Sequence, residues 1–278
     1  MFNHMKIRLL LGLSIIGFIG FVVIAIFSTF YGADEGFITT CLSIIMYIVV
    51  PFIFFYHYYR KEPFSLKQVV FFSRSAQWVL PICAIVVVAI SFSLSTFWLT
   101  LFTIEPILPI LVDLLMEEVP FPTNPFYLFF EILVISVLAP IVEEFFFRGV
   151  ILHRIMLKTS MWGGILISSL LFGILHSDII GAFFFGVIAC LLYLRTGNLL
   201  LPIMMHILNN TIAVILSFVP TDWLESVLIL SKEDITGKAF PISIMLVVST
   251  LLTIFITVKL GKGLGSMREG HLTHQPEQ

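Results

Sequence analysis

Long, nearly uncharged apolar stretches are the feature that most constrains how this chain can fold. A helix of about 20 apolar residues crosses a bilayer, and helices or closed barrels alone satisfy their main-chain groups there. With 59% hydrophobic and 12% charged residues, the composition lies far below the ~25% charge of soluble domains. We therefore predict an all-α, polytopic membrane protein with about eight transmembrane helices and no nucleic-acid partner. The predicted spans are 9–31, 37–58, 78–104, 125–147, 161–177, 179–195, 198–219 and 241–260.

Lysine and arginine alternate with acidic residues from one gap between predicted spans to the next. Thirteen of the 15 basic residues fall on one predicted side, and Lys232 and Lys238 are the exceptions. Because cytoplasmic loops carry the excess of basic residues, this alternation predicts a multi-pass protein of the cell membrane with both termini in the cytoplasm. We expect one transmembrane domain over 1–260, followed by a disordered cytoplasmic tail over 261–278.

Two adjacent carboxylates, Glu143 and Glu144, lie in the fourth apolar stretch with Arg148 four residues after the second. Charged groups at membrane depth cost several kcal/mol, roughly 2.5 to 3.5 on insertion scales, so they indicate a function by default. On a helix, Glu144 and Arg148 share a face and form an i,i+4 pair, whereas Glu143 points elsewhere. We expect Glu144 to be neutralised and Glu143 to be left for chemistry. An ion pair at the membrane surface is the alternative interpretation.

Two histidines and an asparagine occupy later spans. His176 follows Phe172 by one helical turn, and His206 shares a face with Asn210 at i,i+4. Each histidine could simply bridge helices by hydrogen bonding. Glu143 and His176 lie at similar distances from the predicted turn near Thr159, so they could face each other. His206 would sit lower unless its helix is tilted or the turn before it enters the membrane.

These motifs resemble the CAAX protease and bacteriocin-processing family, also called CPBP or Abi, which includes the type II CAAX prenyl endopeptidases. The resemblance covers about 126–211 and depends on three motifs in chain order. They are Glu-Glu-x-x-x-Arg at 143–148, Phe-x-x-x-His at 172–176 and His-x-x-x-Asn at 206–210.

The resemblance implies an intramembrane protease that opens toward the cytoplasm. It implies that Glu143 and His176 activate a water and that His206 and Asn210 stabilise the oxyanion. From the i,i+4 pair itself, we expect Arg148 mainly to hold Glu144 and so to maintain the geometry of the site. Either no cofactor is needed, or Glu143, His176 and His206 hold a divalent metal such as zinc. The expected substrate is a membrane-associated peptide or protein tail, of the CAAX type or a bacteriocin or leader peptide. The sequence leaves substrate type, metal dependence and oligomeric state open.

Two other functions use the same residue types. A transporter or ion pathway also requires ionisable groups in the membrane. A non-catalytic bacteriocin-immunity protein could bind a peptide without cleaving it. The sequence shows no inverted repeat and no second interrupted helix at a matching position, which are the features that would favour a transporter.

Overall fold

Helices joined by short connections make up the part of the chain that its computed structural model describes, which comprises residues 2–72, 75–117, 121–224, 229 and 231–264. No strand occurs within those ranges. The all-α, polytopic fold class is therefore confirmed. Each predicted span corresponds to one main helix, and the eight are α1 (Ile7–Phe30), α2 (Glu35–Lys61), α3 (Ala76–Ile104), α4 (Pro125–Met156), α5 (Met161–Ile174), α6 (Ile179–Thr196), α7 (Leu200–Ser217) and α8 (Ala239–Gly261).

Seven of these helices are long and apolar enough to cross a membrane, and α5 is the shorter exception. With 14 residues, α5 is about 21 Å long, less than the ~30 Å hydrocarbon core. It begins after Ser160, whose Oγ accepts the Gly163 N–H, and it ends at Ile174. The predicted span 161–177 was therefore too long at its C-terminal end, and His176 lies beyond the helix rather than on it.

The centre of the bundle is α6, because 56% of its residues are buried, against 6% of the most apolar 18 residues of α1. It packs closely against α5 because both helices carry glycine where they meet. A Cβ on Gly173 would lie 2.8 Å from the Ile179 carbonyl oxygen, and one on Gly186 would lie 3.0 Å from Ser169 Cβ. Small residues of this kind allow helix backbones to approach each other in membranes.

Two helices contain five-residue π-helical segments placed just before a proline. Ile45–Val49 precedes Pro51 in α2, and Val134–Leu138 precedes Pro140 in α4. The residue before each proline donates its N–H five positions back, from Val50 to Ile45 and from Ala139 to Val134. Proline has no N–H and would clash with the preceding turn, so the wider π turn accommodates it. A third π-helical segment, Phe145–Ile151, follows the two glutamates.

Contacts between connections align the helix ends. Asn198, which is buried, donates from Nδ2 to the Phe71 carbonyl at 2.7 Å and ties the α6–α7 turn to the α2–α3 connection. Arg195 Nη1 donates to the Leu260 carbonyl at 3.2 Å, so the C-terminal ends of α6 and α8 lie at the same end of the bundle. Leu264 is buried, and the rest of the predicted tail, 265–278, lies outside the described residues.

Candidate active site

The two glutamates of α4 have different surroundings, although they are adjacent in sequence. Glu144 is fully buried, and its Oε1 accepts from Arg148 Nη1 at 2.8 Å. The same oxygen lies 2.9 Å from His206 Nδ1 on α7. The predicted Glu144–Arg148 pair is therefore present, and it carries a histidine as a third member. Because a carboxylate accepts, His206 Nδ1 bears the proton in this contact.

Glu143 is 19% exposed at its side chain and contacts a hydroxyl and an imidazole. Tyr47 of α2 donates from its OH to Glu143 Oε1 at 3.3 Å. The other oxygen, Oε2, lies 3.9 Å from His206 Nε2, which is too long for a direct hydrogen bond. Within the described part of the chain, no lysine or arginine forms an ion pair or hydrogen bond with Glu143. Of the two carboxylates, Glu143 is thus the one available to a reacting group.

His176 occupies the turn after α5, where its ring packs against Phe172 with the centroids 4.4 Å apart and the planes tilted by 36°. Its Nδ1 lies 2.8 Å from the Phe172 carbonyl oxygen. A carbonyl can only accept, so Nδ1 carries the proton, and in a singly protonated ring Nε2 is an acceptor. The two rings are in contact although helix α5 ends before the histidine.

Phe172 lies at the middle of the site. Its ring centroid is 5.7 Å from that of His206, and the Arg148 guanidinium carbon lies 4.5 Å from the same ring. The ring therefore contacts both His176 and the Glu144–Arg148–His206 cluster. A cavity of about 140 Å³ lies beside it. The polar side chains around this cavity belong to Ser93, His176, Ser177, Asp178, His206, Asn209 and Asn210.

Asn210 joins α7 to the π-helical segment of α4. Its Nδ2 donates to the Ile135 carbonyl oxygen at 3.0 Å. In a π turn, that carbonyl would accept from residue 140, but Pro140 has no N–H, and the Ala139 N–H goes to Val134. The amide of Asn210 therefore supplies a donor that the proline cannot. Its second amide hydrogen leaves one donor for other chemistry.

The six predicted site residues thus form two groups that share His206. Glu143, Glu144, Arg148 and His206 make one chain of polar contacts, whereas His176, His206 and Asn210 border the cavity. The expected approach of Glu143 to His176 is not among the polar contacts of either side chain. His206 was expected to sit lower than His176 unless its helix is tilted or the turn before it enters the membrane. Asn198 and Leu199 in that turn are buried in the bundle, which agrees with the second possibility.

The predicted metal set of Glu143, His176 and His206 does not form in this arrangement. Over the described ranges, no group of three or more His, Cys, Asp or Glu side chains is placed to hold a metal ion. His176 Nδ1 is bonded to the Phe172 carbonyl and His206 Nδ1 to Glu144, so Nε2 is the ring atom that each histidine could offer to a ligand.

Sequence reasoning missed two residues of the site. Tyr47 carries no motif and lies in another span, so no sequence signal connects it to Glu143. Asp178 also belongs to no motif, yet it caps α6 by accepting the Gly181 N–H at 3.0 Å and accepts from Ser93 Oγ. Burial raises the pKa of the Asp178 carboxyl, and these hydrogen bonds oppose that shift. An aspartate three residues before a glycine at a helix start is a signal that would have indicated the cap.

Fold and site together define a class: a multi-pass α-helical membrane protein with a cluster of carboxylates and imidazoles inside its bundle. The family model described as "Type II CAAX prenyl endopeptidase Rce1-like" matches residues 125–212. This match confirms the predicted resemblance, and it covers all six predicted site residues. It leaves α1 to α3 and α8 outside.

Two curated proteins are similar to the same part of the chain. "Putative membrane peptidase YdiL" of Bacillus subtilis (strain 168) is 37% identical over 92 residues, which are 32% of this chain and 38% of that protein. An "Uncharacterized 24.3 kDa protein" of Escherichia coli is 37% identical over 92 residues, 30% of this chain and 42% of its own. The chain thus matches about two fifths of the length of these relatives. No solved structure matches it.

Proposed function

We propose that this chain is a membrane-embedded endopeptidase that cleaves a membrane-associated peptide or protein tail. The observation that carries the proposal is the unequal treatment of two adjacent carboxylates. Glu144 is neutralised by Arg148, whereas Glu143 has a hydroxyl and an imidazole for neighbours. The family match over 125–212 and the peptidase name of the Bacillus relative support the same class of activity.

In the proposed reaction, Glu143 accepts a proton from a water molecule. His176, with its proton on Nδ1, accepts the second water hydrogen at Nε2 and orients the oxygen. The resulting hydroxide attacks the peptide carbonyl carbon to form a tetrahedral intermediate. When the carbon–nitrogen bond breaks, Glu143 returns its proton to the leaving amine, so protons balance over the cycle.

The oxyanion of this intermediate is assigned to His206 and Asn210. Glu144 accepts from His206 Nδ1–H, so the ring can donate from Nε2 only when it is doubly protonated. Glu144 Oε1 lies 2.9 Å from Nδ1 and Glu143 Oε2 lies 3.9 Å from Nε2, so both ring nitrogens have a carboxylate beside them. Asn210 offers the amide hydrogen that Ile135 does not use. Preorganised donors of this kind stabilise charge that develops in the transition state.

The test is mass spectrometry of membrane peptides from cells that carry wild-type protein or Glu143→Gln. We expect products that depend on the wild-type protein and disappear with the variant at equal abundance. Glu131→Gln is the matched control, because Glu131 lies on the same helix and its carboxylate accepts from Ser43. A transporter that relays protons through Glu143 would also fail in the variant, but it would yield no cleaved peptide in the wild type.

A chelator tests the chemistry of the same site. Because the side chains are not placed as zinc ligands, we expect purified protein to keep its activity after treatment with a strong chelator. Activity that is lost on chelation and restored in proportion to added zinc would overturn the metal-free reaction and leave the endopeptidase assignment intact.

A further inference from the structure

One hydroxyl from outside the family-matched segment reaches the proposed general base. Tyr47 belongs to α2, and its OH donates to Glu143 Oε1 at 3.3 Å. With Oε1 held there, Oε2 is the oxygen that faces His206 Nε2. We propose that Tyr47 is a positioning residue for Glu143, an inference that rests on the function proposed above.

The backbone of α2 is shaped at this point. Tyr47 is the middle residue of the π-helical segment Ile45–Val49, which Pro51 imposes. Helix α1 packs against that segment at Gly17, where an added Cβ would lie 2.9 Å from Val50 Cγ2 and 3.1 Å from Ile45 Cγ2. The wider turn changes the direction of the Tyr47 side chain relative to a regular helix. The close approach of α1 to Ile45 and Val50 restrains the backbone on either side of Tyr47. π turns of this kind are frequent at functional sites.

The Tyr47 hydroxyl supplies the Glu143 carboxylate with a hydrogen-bond donor. An ionised carboxylate has only acceptors, and a hydrogen bond to its charged form favours that form. A general base must be ionised before the reaction and must present one oxygen to the water. The Tyr47 hydroxyl holds Oε1, so that Oε2 stays directed toward His206.

Tyr47→Phe removes the hydroxyl and keeps the ring. We expect kcat to fall about 10- to 100-fold, because small misplacements of a catalytic group have effects of this size. KM and protein abundance should stay near the wild-type values, since substrate contacts and packing are retained. Ser43→Ala is the matched control: Ser43 lies one turn earlier on α2, and its hydroxyl also donates to a glutamate of α4, Glu131, at 3.5 Å. Its kcat should equal that of the wild type.

A second measurement reports on Glu143 without requiring turnover. Dicyclohexylcarbodiimide modifies protonated carboxyl groups in apolar surroundings, and mass spectrometry assigns the modified residue. We expect Tyr47→Phe to increase the labelling rate of Glu143 several-fold and to leave that of Glu131 unchanged. The titratable side chains near Tyr47 and Glu143 are Glu131, Glu144 and His206. The labelling of Glu143 is therefore also measured in Glu131→Gln protein, where Glu131 cannot react.

Slower kcat together with faster labelling of Glu143 supports the proposal. Unchanged labelling, or unchanged kcat in a protein whose Glu143→Gln variant is inactive, overturns the role of Tyr47 and leaves the proposed function standing. Absence of any product from the wild-type protein would overturn the proposed function itself, and with it a positioning role in that reaction.

Discussion

Arg148 Nη1 and Glu144 Oε1 lie 2.8 Å apart with both side chains almost completely buried, at 1% and 0% exposure. Burial on this scale leaves further polar atoms without a protein partner, namely Glu144 Oε2 and Arg148 Nε and Nη2. Removing both charges from such a site is often less costly than removing one, because the remaining charge is stranded.

Arg148→Met should therefore destabilise the protein more than the double variant Arg148→Met with Glu144→Leu. We expect the single change to cost about 3 to 5 kcal/mol and to lower both abundance and activity. Thermal denaturation in detergent measures the difference. Lys158→Met, at an exposed position after α4, is the control and should denature like the wild type. Normal abundance with no activity in Arg148→Met would place the arginine in the chemistry instead.

The sequence could predict this pair because both partners lie on one helix at a fixed spacing. It could not predict that His206 joins them, since that contact depends on how α7 packs against α4. Tyr47 is the extreme case: its position follows from a π turn before Pro51 and from a glycine on α1, and neither feature has a local pattern that points to Glu143. Motif spacing identifies the reacting groups, whereas packing decides their partners.

Both termini are predicted to lie in the cytoplasm, and the structure offers a sharper way to test this. The two lysines that break the charge pattern each meet an aspartate, Lys232 with Asp113 at 2.5 Å and Lys238 with Asp234 at 2.9 Å. Two lysines on that side against 13 basic residues on the other keep the bias that the positive-inside rule uses. Reporter fusions after Lys61 and Lys262 should both be cytoplasmic, with a fusion at 232–237 outside. If α5 does not cross, Lys61 and Lys262 would report opposite sides.

Gly173→Ala should disturb the site by pushing the backbones of α5 and α6 apart. The added Cβ would lie 2.8 Å from the Ile179 carbonyl oxygen and 3.2 Å from the Phe183 nitrogen, and neither atom can rotate away. The ends of α5 and α6 must then separate, which displaces His176 three residues later. We expect a loss of about 1 to 3 kcal/mol with reduced activity, measured by thermal denaturation and product formation. Gly20→Ala, which has nothing within 4 Å, is the control. Equal behaviour of the two variants would contradict the close packing.

The length of α5 is a further limit of sequence reasoning. Apolar residues continue to Leu175, so hydropathy extends the span, but the helix ends at Ile174 and the chain turns back through Asp178, which caps α6. Tertiary packing at Gly173 and the cap at Asp178 decide the boundary. The same turn leaves His176 outside a helix, where its Nδ1 can bond the Phe172 carbonyl.

Asn210 is predicted to have a structural effect that depends on Pro140. Asn210→Ala removes the donor to the Ile135 carbonyl and should cost about 1 to 3 kcal/mol, as for other buried acceptors that lose their partner. Pro140→Ala supplies an N–H at the position from which a π turn would bond that carbonyl. In the double variant, the loss caused by Asn210→Ala should therefore be smaller than in the wild-type background. Ser217→Ala, at an exposed site near the end of α7, is the control. Strictly additive effects in thermal denaturation would show that Pro140 and Asn210 do not share Ile135, and would leave Asn210 with the oxyanion role alone.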